Sequence, residues 1–301
     1  ACIRQAPAQS DERFLMETPL DVVVLGLPGS GKTTFLAALW HLLTANEVDT
    51  RLSFVTLKAG ESAHLNEIAS LWRKARVQER TLHAGDRTVT MSLCSASAPE
   101  FQLSFPDLAG ESFQQMWEVR ECSPEVAASL RSKGVLLFIH ADKIKAPGWI
   151  VDDAEASEAA GLPVEHGNPV AWNARLAPTQ VKLVDLLQSL ESPPLNAWPR
   201  RVAIILSAWD KAAGAGMTPD EYLTAYLPLL RQYLTHGLSG TWVVKLFGVS
   251  AQGGVYDEAG KPAQDEAQRI REMDVPSKRI SVVSTEGQSH DLTEPLQWLL
   301  I

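Results

Sequence analysis

The chain has 301 residues, of which 45% are hydrophobic, enough to bury the core of one large α/β domain or two small ones. Its formal net charge of -9 at pH 7 argues against a general binder of nucleic acid or anionic membranes, because phosphate surfaces attract basic proteins. Cys2, Cys94 and Cys122 are odd in number and scattered, and no apolar run approaches the roughly 20 residues that span a bilayer, which together predict a cytoplasmic protein without membrane insertion.

The first half of the chain alternates between predicted strands and helices. Residues 1–18 are expected to form a flexible N-terminal tail. The first strand reads LDVVVLGL, a continuous run rich in β-branched residues that suits a strand buried on both faces. A helix follows in KTTFLAALWHLLTA, then a short strand in RLSFVTL and a helix in ESAHLNEIASLWRKARV. Two alternating runs, RTVTMSLCS and EFQLSF, then predict a hairpin.

The second half continues the alternation. GVLLFIHA, RVAIILSAWD and TWVVKLFGVSA read as buried strands, with helices in TQVKLVDLLQSL, PDEYLTAYLPLLRQYL and EPLQWLLI. This order predicts a doubly wound, mostly parallel α/β sheet with one antiparallel edge strand. We expect residues 19–301 to form a single domain with loop insertions at about 45–85, 143–178 and 253–290. The last insertion contains one strand candidate, RISVV.

The segment GLPGSGKT fits the phosphate-binding pattern G-x-x-x-x-G-K-[ST] and lies between a buried strand and a helix. Its glycines let successive backbone N–H groups converge on phosphate oxygens, and the helix N-terminus adds its positive dipole. Lys32 is expected to contact the β and γ phosphates, and Thr33 to coordinate Mg²⁺. The predicted nucleotide-binding residues of this loop are Gly26, Pro28, Gly29, Ser30, Gly31, Lys32, Thr33 and Thr34. The motif predicts nucleoside triphosphate binding but specifies neither base nor reaction, because kinases, ATPases and GTPases share it.

A second motif, FPDLAGE, follows the strand candidate EFQLSF. Asp107 is placed to hold Mg²⁺ directly or through water. The spacing of Asp107, Gly110 and Glu111 resembles the switch II region of GTPases, which implies that the Gly110 amide senses the γ phosphate and Glu111 positions the attacking water. Glu111 stands where Ras-like proteins usually have Gln, and the alternative is a carboxylate that only stabilises the start of a helix.

A third motif lies in ILSAWDK. Asp210 is expected to accept hydrogen bonds from N1 and N2 of guanine, a bidentate contact that adenine cannot make. Ser207 and Ala208 stand where the Asn and Lys of the usual base-reading motif would be. Trp209 or Lys211 is expected to cover the base in place of that Lys. The alternative is that Asp210 only caps a turn.

The last predicted core strand ends in GVSAQ. Ser250 and Ala251 correspond in position to a Ser-Ala motif of GTPases, in which the backbone, especially the Ala251 amide, would donate to guanine O6. Taken together, these four motifs in this order resemble bacterial-type TRAFAC-class GTPases, of the group called double-GTPases or GTPase-associated conflict-system proteins. The resemblance implies a Ras-like G domain that binds GTP or GDP with Mg²⁺ and a regulatory switch, with a protein effector and a role in biological conflict.

The resemblance also implies a switch I threonine that contacts Mg²⁺ and the γ phosphate. We assign Thr81, in the polar loop before the predicted hairpin, and keep Thr44, Thr50 and Thr88 as alternatives. Arg80 is a candidate internal arginine finger. The expected catalytic set is therefore Lys32, Glu111 and Thr81.

Two other functions stay open at this point. One is a P-loop ATPase or kinase, for which Asp210 and Ser250 would be coincidences. The other is a pseudo-GTPase that holds nucleotide without hydrolysing it, because Glu111 is a charged residue that also repels the γ phosphate.

Overall fold

The fold is known from a computed structural model that describes residues 21–77, 88–95, 100–105, 116–122, 124–148, 159, 173–193, 195–196, 201–212, 216–238, 240, 242–258 and 260–300. The predicted N-terminal tail lies outside these residues. No helix within them is long and apolar enough to cross a membrane.

The described residues form one sheet of nine strands in the order β2-β3-β4-β1-β5-β6-β7-β8-β9. The strands are β1 (Asp21–Gly26), β2 (Ser53–Ala59), β3 (Val89–Cys94), β4 (Phe101–Phe105), β5 (Gly134–His140), β6 (Arg201–Ser207), β7 (Val243–Ser250), β8 (Ser281–Ser284) and β9 (Gly287–Ser289). β4, β1, β5, β6 and β7 are parallel, and β3 pairs with β4 as the predicted antiparallel hairpin. The doubly wound α/β class is confirmed.

The edges of the sheet differ from the expected single antiparallel strand. At one edge β3 pairs antiparallel with β4 and β2 pairs antiparallel with β3; at the other, β8 pairs antiparallel with β7 and β9 pairs antiparallel with β8. β8 arises from RISVV in the segment that was expected to be a loop insertion, since its apolar residues alternate and its inward side chains are buried. β9 follows a tight turn at Thr285 and Glu286 and begins at Gly287, whose φ of 123° favours glycine.

Helices cover both faces of the sheet. They are α1 (Lys32–Ala45), α2 (Ser62–Arg73), α3 (Pro124–Leu130), α4 (Thr179–Glu191), α5 (Trp209–Ala212), α6 (Pro219–Tyr226), α7 (Pro228–Gln232), α8 (Asp265–Arg271) and α9 (Glu294–Leu300). The single helix expected in PDEYLTAYLPLLRQYL is interrupted at Leu227, because Pro228 disfavours helical geometry in the residue before it.

Alternate residues of β1 belong to two separate hydrophobic cores. Val22 and Val24 pack with α1, α2 and α9, whereas Val23 and Leu25 pack with α4 and α6. β1 is therefore buried on both faces, as its β-branched sequence predicts. Because the parallel strands are held in register by this burial, their carboxyl ends lie together at one end of the sheet. The predicted motifs follow these strand ends.

Candidate functional site

The loop between β1 and α1 has the backbone conformation that its glycines permit. Gly26, Gly29 and Gly31 have φ values of 154°, 68° and 92°, which disfavour residues with a side chain. A hydrogen bond of 3.2 Å from Ser30 N to Leu27 O closes the turn. Helix α1 starts directly afterwards at Lys32, which places the N-terminal end of the helix next to this turn.

The charges of this loop suit an anion. The Lys32 ammonium lies across the turn and donates to Gly26 O at 2.7 Å, Leu27 O at 3.1 Å and Ser30 Oγ at 3.3 Å. The first turn of α1 reads KTTF and has no acidic side chain that would offset the positive end of the helix dipole. Thr33 is exposed in that turn and Thr34 is partly buried.

Ser207, at the end of β6, connects the base-reading segment to the phosphate loop. Its buried hydroxyl donates to Ser30 O at 2.7 Å, although the two residues are 177 positions apart. A Cβ on Gly31 would lie 3.0 Å from Ser207 Oγ, so this close approach depends on glycine at position 31. The residue in the Asn position of the base-reading motif thus contacts the phosphate loop.

The residues after Ser207 include one that is buried in the core and two that are exposed at the surface. Ala208 has a φ of 54°, a left-handed conformation that turns the chain out of the strand. Trp209 is buried, with its ring 5.5 Å from the Tyr222 ring and against the backbone of Gly248. Asp210 and Lys211 are exposed. Trp209 therefore packs in the core and does not cover a base, which leaves Lys211 of the two residues considered.

An open cleft brings three predicted segments together. Gly31 and Thr34 form its phosphate-loop side, Asp210 and Lys211 follow β6, and Ala251 follows β7. Ser250 is buried and accepts a 3.2 Å hydrogen bond from Gly253 N, so its side chain stabilises the turn after β7. This arrangement can hold a ligand that has an anionic group at one end and a planar polar group at the other.

A family model described as Double-GTPase 1 matches residues 23–299. The chain belongs to the Double-GTPase 1 family. Membership makes it a GTP-binding protein, and the resemblance to double-GTPases seen in the sequence is confirmed. No curated protein is a significant match to this Double-GTPase 1 chain.

Two solved structures are similar to this chain, both at low sequence identity. The GTPase-like domain of Saccharomyces cerevisiae Ski7, bound to GTP, is 13% identical with a TM-score of 0.40, and the match covers 83% of this chain and 49% of that one. The signal recognition particle receptor complex SRb-GTP/SRX from Chaetomium thermophilum is 15% identical with a TM-score of 0.36, and the match covers 85% and 99%. The chain thus spans about half the length of the Ski7 chain.

Several predicted residues of this Double-GTPase 1 protein lie outside the described residues. These are Asp107, Gly110, Glu111, Thr81 and Arg80. Their assigned roles stay predictions.

The alternatives for switch I differ in position. Thr44 is eleven residues from Thr33 along α1, roughly 16 Å by the helical rise, and its hydroxyl donates to Trp40 O. It is too far from Thr33 to share a metal ion with it. The Thr50 hydroxyl donates to Leu52 O at 2.9 Å, and Thr88 is exposed before β3.

His140 is a neighbour of the site that the sequence analysis missed. It ends β5, lines the cleft, and also borders a second cleft on the other side of the phosphate loop with Pro28 and Gly29. Burial, followed by the charge of Lys143, lowers the pKa of His140 below its usual range, so the imidazole is neutral at pH 7. The signal that could have revealed it is its place directly after a buried strand.

Replacing Ser207 with Asn, the usual residue at this position of the base-reading motif, is expected to destabilise the folded protein. In Ser207→Asn, the larger side chain has no room beside Gly31, so we expect a loss of about 2 kcal/mol in the free energy of unfolding and no gain in GTP affinity. Urea unfolding and a GTP titration would measure both. Ser207→Ala, which keeps the space but loses the hydrogen bond to Ser30, should cost about 1 kcal/mol. A Ser207→Asn variant that binds GTP more tightly would contradict the role given to the hydroxyl.

Proposed function

We propose that this protein binds GTP with Mg²⁺ and hydrolyses it to GDP and phosphate, as a regulatory switch. The observation that carries the proposal is the cleft, because the start of α1, Asp210 and Ala251 border one space although they come from three distant segments. A protein that binds only the phosphates of a nucleotide does not need Asp210 and Ala251 in the same cleft as its P-loop.

Asp210 and Ala251 supply the complementary contacts for guanine. A carboxylate accepts from both N1–H and the N2 amino group, whereas adenine has no N1–H. A backbone amide at Ala251 donates to O6, which adenine replaces with an amino donor. Both residues line the same cleft as Gly31 and Thr34 at the start of α1, where the phosphates would lie. This is the discrimination that separates a GTPase from a P-loop ATPase or kinase.

The residues assigned to Mg²⁺ have suitable chemistry. Thr33 supplies a hydroxyl that is exposed beside the start of α1, and the sequence offers the Asp107 carboxylate and the Thr81 hydroxyl. Mg²⁺ prefers such oxygen ligands together with substrate phosphates. When bound, the ion would neutralise the charge of the β and γ phosphates. Lys32, whose ammonium already lies across the phosphate loop, would add a second positive charge there.

We assign the chemical step to Glu111 and Gly110 on the strength of the motif FPDLAGE. Glu111 would orient the attacking water and Gly110 would respond to the γ phosphate, so the switch loops would be ordered before hydrolysis and relax after it. A carboxylate near the γ phosphate repels it, and we expect slow turnover that a protein partner accelerates. The family resemblance is the support for assigning such a switch to a multi-component bacterial conflict or defence system, and the scattered free thiols favour the cytoplasm.

The test combines binding and single turnover. With Mg²⁺ present, we expect GTP and GDP to bind at least tenfold more tightly than ATP, since adenine leaves the Asp210 carboxylate without its two donors. Tighter ATP binding would favour the ATPase or kinase. Purified protein should also convert bound γ-labelled GTP to GDP and phosphate. If GTP stays intact for hours, even with candidate partners, the protein is instead a pseudo-GTPase that holds GTP without hydrolysing it.

A further inference from the structure

Helix α2 reaches the turn that follows β7 through one buried indole. The Trp72 side chain is 2% exposed, and its Nε1–H donates to Ala251 O at 2.8 Å. The two residues are 179 positions apart, so the bond joins the insertion after β2 to the predicted guanine-contacting loop. A buried carbonyl that loses its donor is left without a hydrogen bond and without water, which makes this contact a strong constraint on the loop.

Trp72 is itself held in place from two sides. The Arg279 guanidinium lies 3.6 Å from the centre of the Trp72 ring, and the His41 ring lies 4.9 Å from that ring. Arg279 also donates to Trp72 O and, at 3.0 Å, to the Tyr256 hydroxyl. Because the indole is fixed by these contacts, its N–H has little freedom to turn away from Ala251.

Arg279 also packs directly against the loop that Trp72 holds. A Cβ on Gly253 would lie 2.7 Å from Arg279 Cβ, so the loop backbone is in contact with the base of this side chain. Trp72 and Arg279 therefore both support the loop from Ala251 to Gly253.

The bond to Trp72 orients the peptide that joins Ala251 to Gln252. In a trans peptide, the carbonyl of one residue and the N–H of the next point in opposite directions. Fixing Ala251 O therefore also fixes the direction of Gln252 N–H. Both residues line the cleft. Donors that recognise a carbonyl such as guanine O6 contribute most when they are held in place before the ligand arrives.

We propose that Trp72 is a positioning residue for base recognition: by holding Ala251 O, its indole N–H sets the direction of the Gln252 N–H, which we assign beside the Ala251 amide as a second donor to guanine O6. The proposal rests on the proposed function, since it assumes a guanine nucleotide in the cleft. It makes α2, which contributes nothing to the cleft lining, a determinant of base specificity.

The test compares two nucleotides in two variants. Trp72→Phe removes the N–H and keeps an aromatic ring beneath Arg279. Affinities are measured for GTP and for the triphosphate of 2-aminopurine riboside, which keeps the N2 amino group of guanine but lacks both O6 and the N1–H. We expect GTP affinity to fall about tenfold while the affinity for the 2-aminopurine nucleotide is unchanged. Trp40→Phe is the matched control, because its indole donates to Asn66 on the same helix α2 at 2.8 Å but does not touch the loop.

The outcomes separate the two proposals. A selective loss of GTP affinity in Trp72→Phe, absent in Trp40→Phe, supports the positioning role. An equal loss for both nucleotides, or no loss at all, overturns it while leaving GTP recognition intact. A wild-type protein that binds the 2-aminopurine nucleotide or ATP as tightly as GTP overturns the proposed function itself. Thermal unfolding midpoints of both variants show whether any loss follows from reduced folding.

Discussion

Replacing Asp210 with Asn is expected to lower GTP affinity about 100-fold and to raise the affinity for xanthosine triphosphate. The carboxylate accepts from two guanine donors, whereas an amide offers one acceptor and turns a donor towards the other. Xanthine carries a carbonyl where guanine has its amino group, so the new donor finds an acceptor there. Titration of both nucleotides against the wild type and the variant would measure this exchange.

Asp220→Asn is the matched control for that variant. Asp220 is a half-exposed carboxylate near the start of a helix, α6, but it pairs with Arg231 at 2.8 Å and does not border the cleft. Its substitution should leave both nucleotide affinities unchanged. Unaltered GTP affinity in Asp210→Asn would mean that Asp210 only caps the turn after β6.

Gly26→Ala is expected to destabilise the folded protein by roughly 3 kcal/mol. A Cβ there would lie 2.6 Å from Ser30 Oγ and 2.7 Å from Phe138 O, and the φ of 154° disfavours alanine. The backbone oxygen belongs to β5, the neighbour of β1 in the sheet, and cannot move without disturbing strand pairing. Urea unfolding gives the free energy, and a GTP titration shows whether the displaced loop still binds.

Gly29→Ala separates backbone strain from crowding at this loop. Gly29 has a φ of 68°, but a Cβ there would meet nothing within 4 Å. Only the conformational cost remains, about 1 kcal/mol. Equal losses of stability in Gly26→Ala and Gly29→Ala would mean that the contact with β5 is unimportant.

Motifs that are contiguous in sequence were predictable because their geometry is local. GLPGSGKT folds into a tight turn before a helix by virtue of its own glycines, and the alternating runs around it specify the strands of the sheet. The edge strands were harder to predict, because β8 and β9 are short and polar, and their pairing depends on β7 rather than on their own pattern.

Contacts between distant segments could not be predicted from spacing. The Ser207 hydroxyl meets Ser30 O, and the Trp72 indole meets Ala251 O, only after the strands and α2 have packed. Trp209 was misjudged as a possible cover for the base, since the sequence alone does not show that Gly248 leaves room for its ring in the core. The roles of Asp107, Gly110, Glu111 and Thr81 still rest on their motifs.

The contact between Gly31 and Ser207 has a consequence for how such proteins are recognised in genomes. A base-reading motif defined as four consecutive residues assumes that each position is determined by contact with the base. In this chain the first position of the motif, Ser207, contacts the phosphate loop at Ser30 and Gly31, which are far away in sequence. The close approach to Gly31 leaves no room for a larger residue at position 207. A search that requires Asn at this position passes over this chain, although the aspartate three residues later lies beside the cleft.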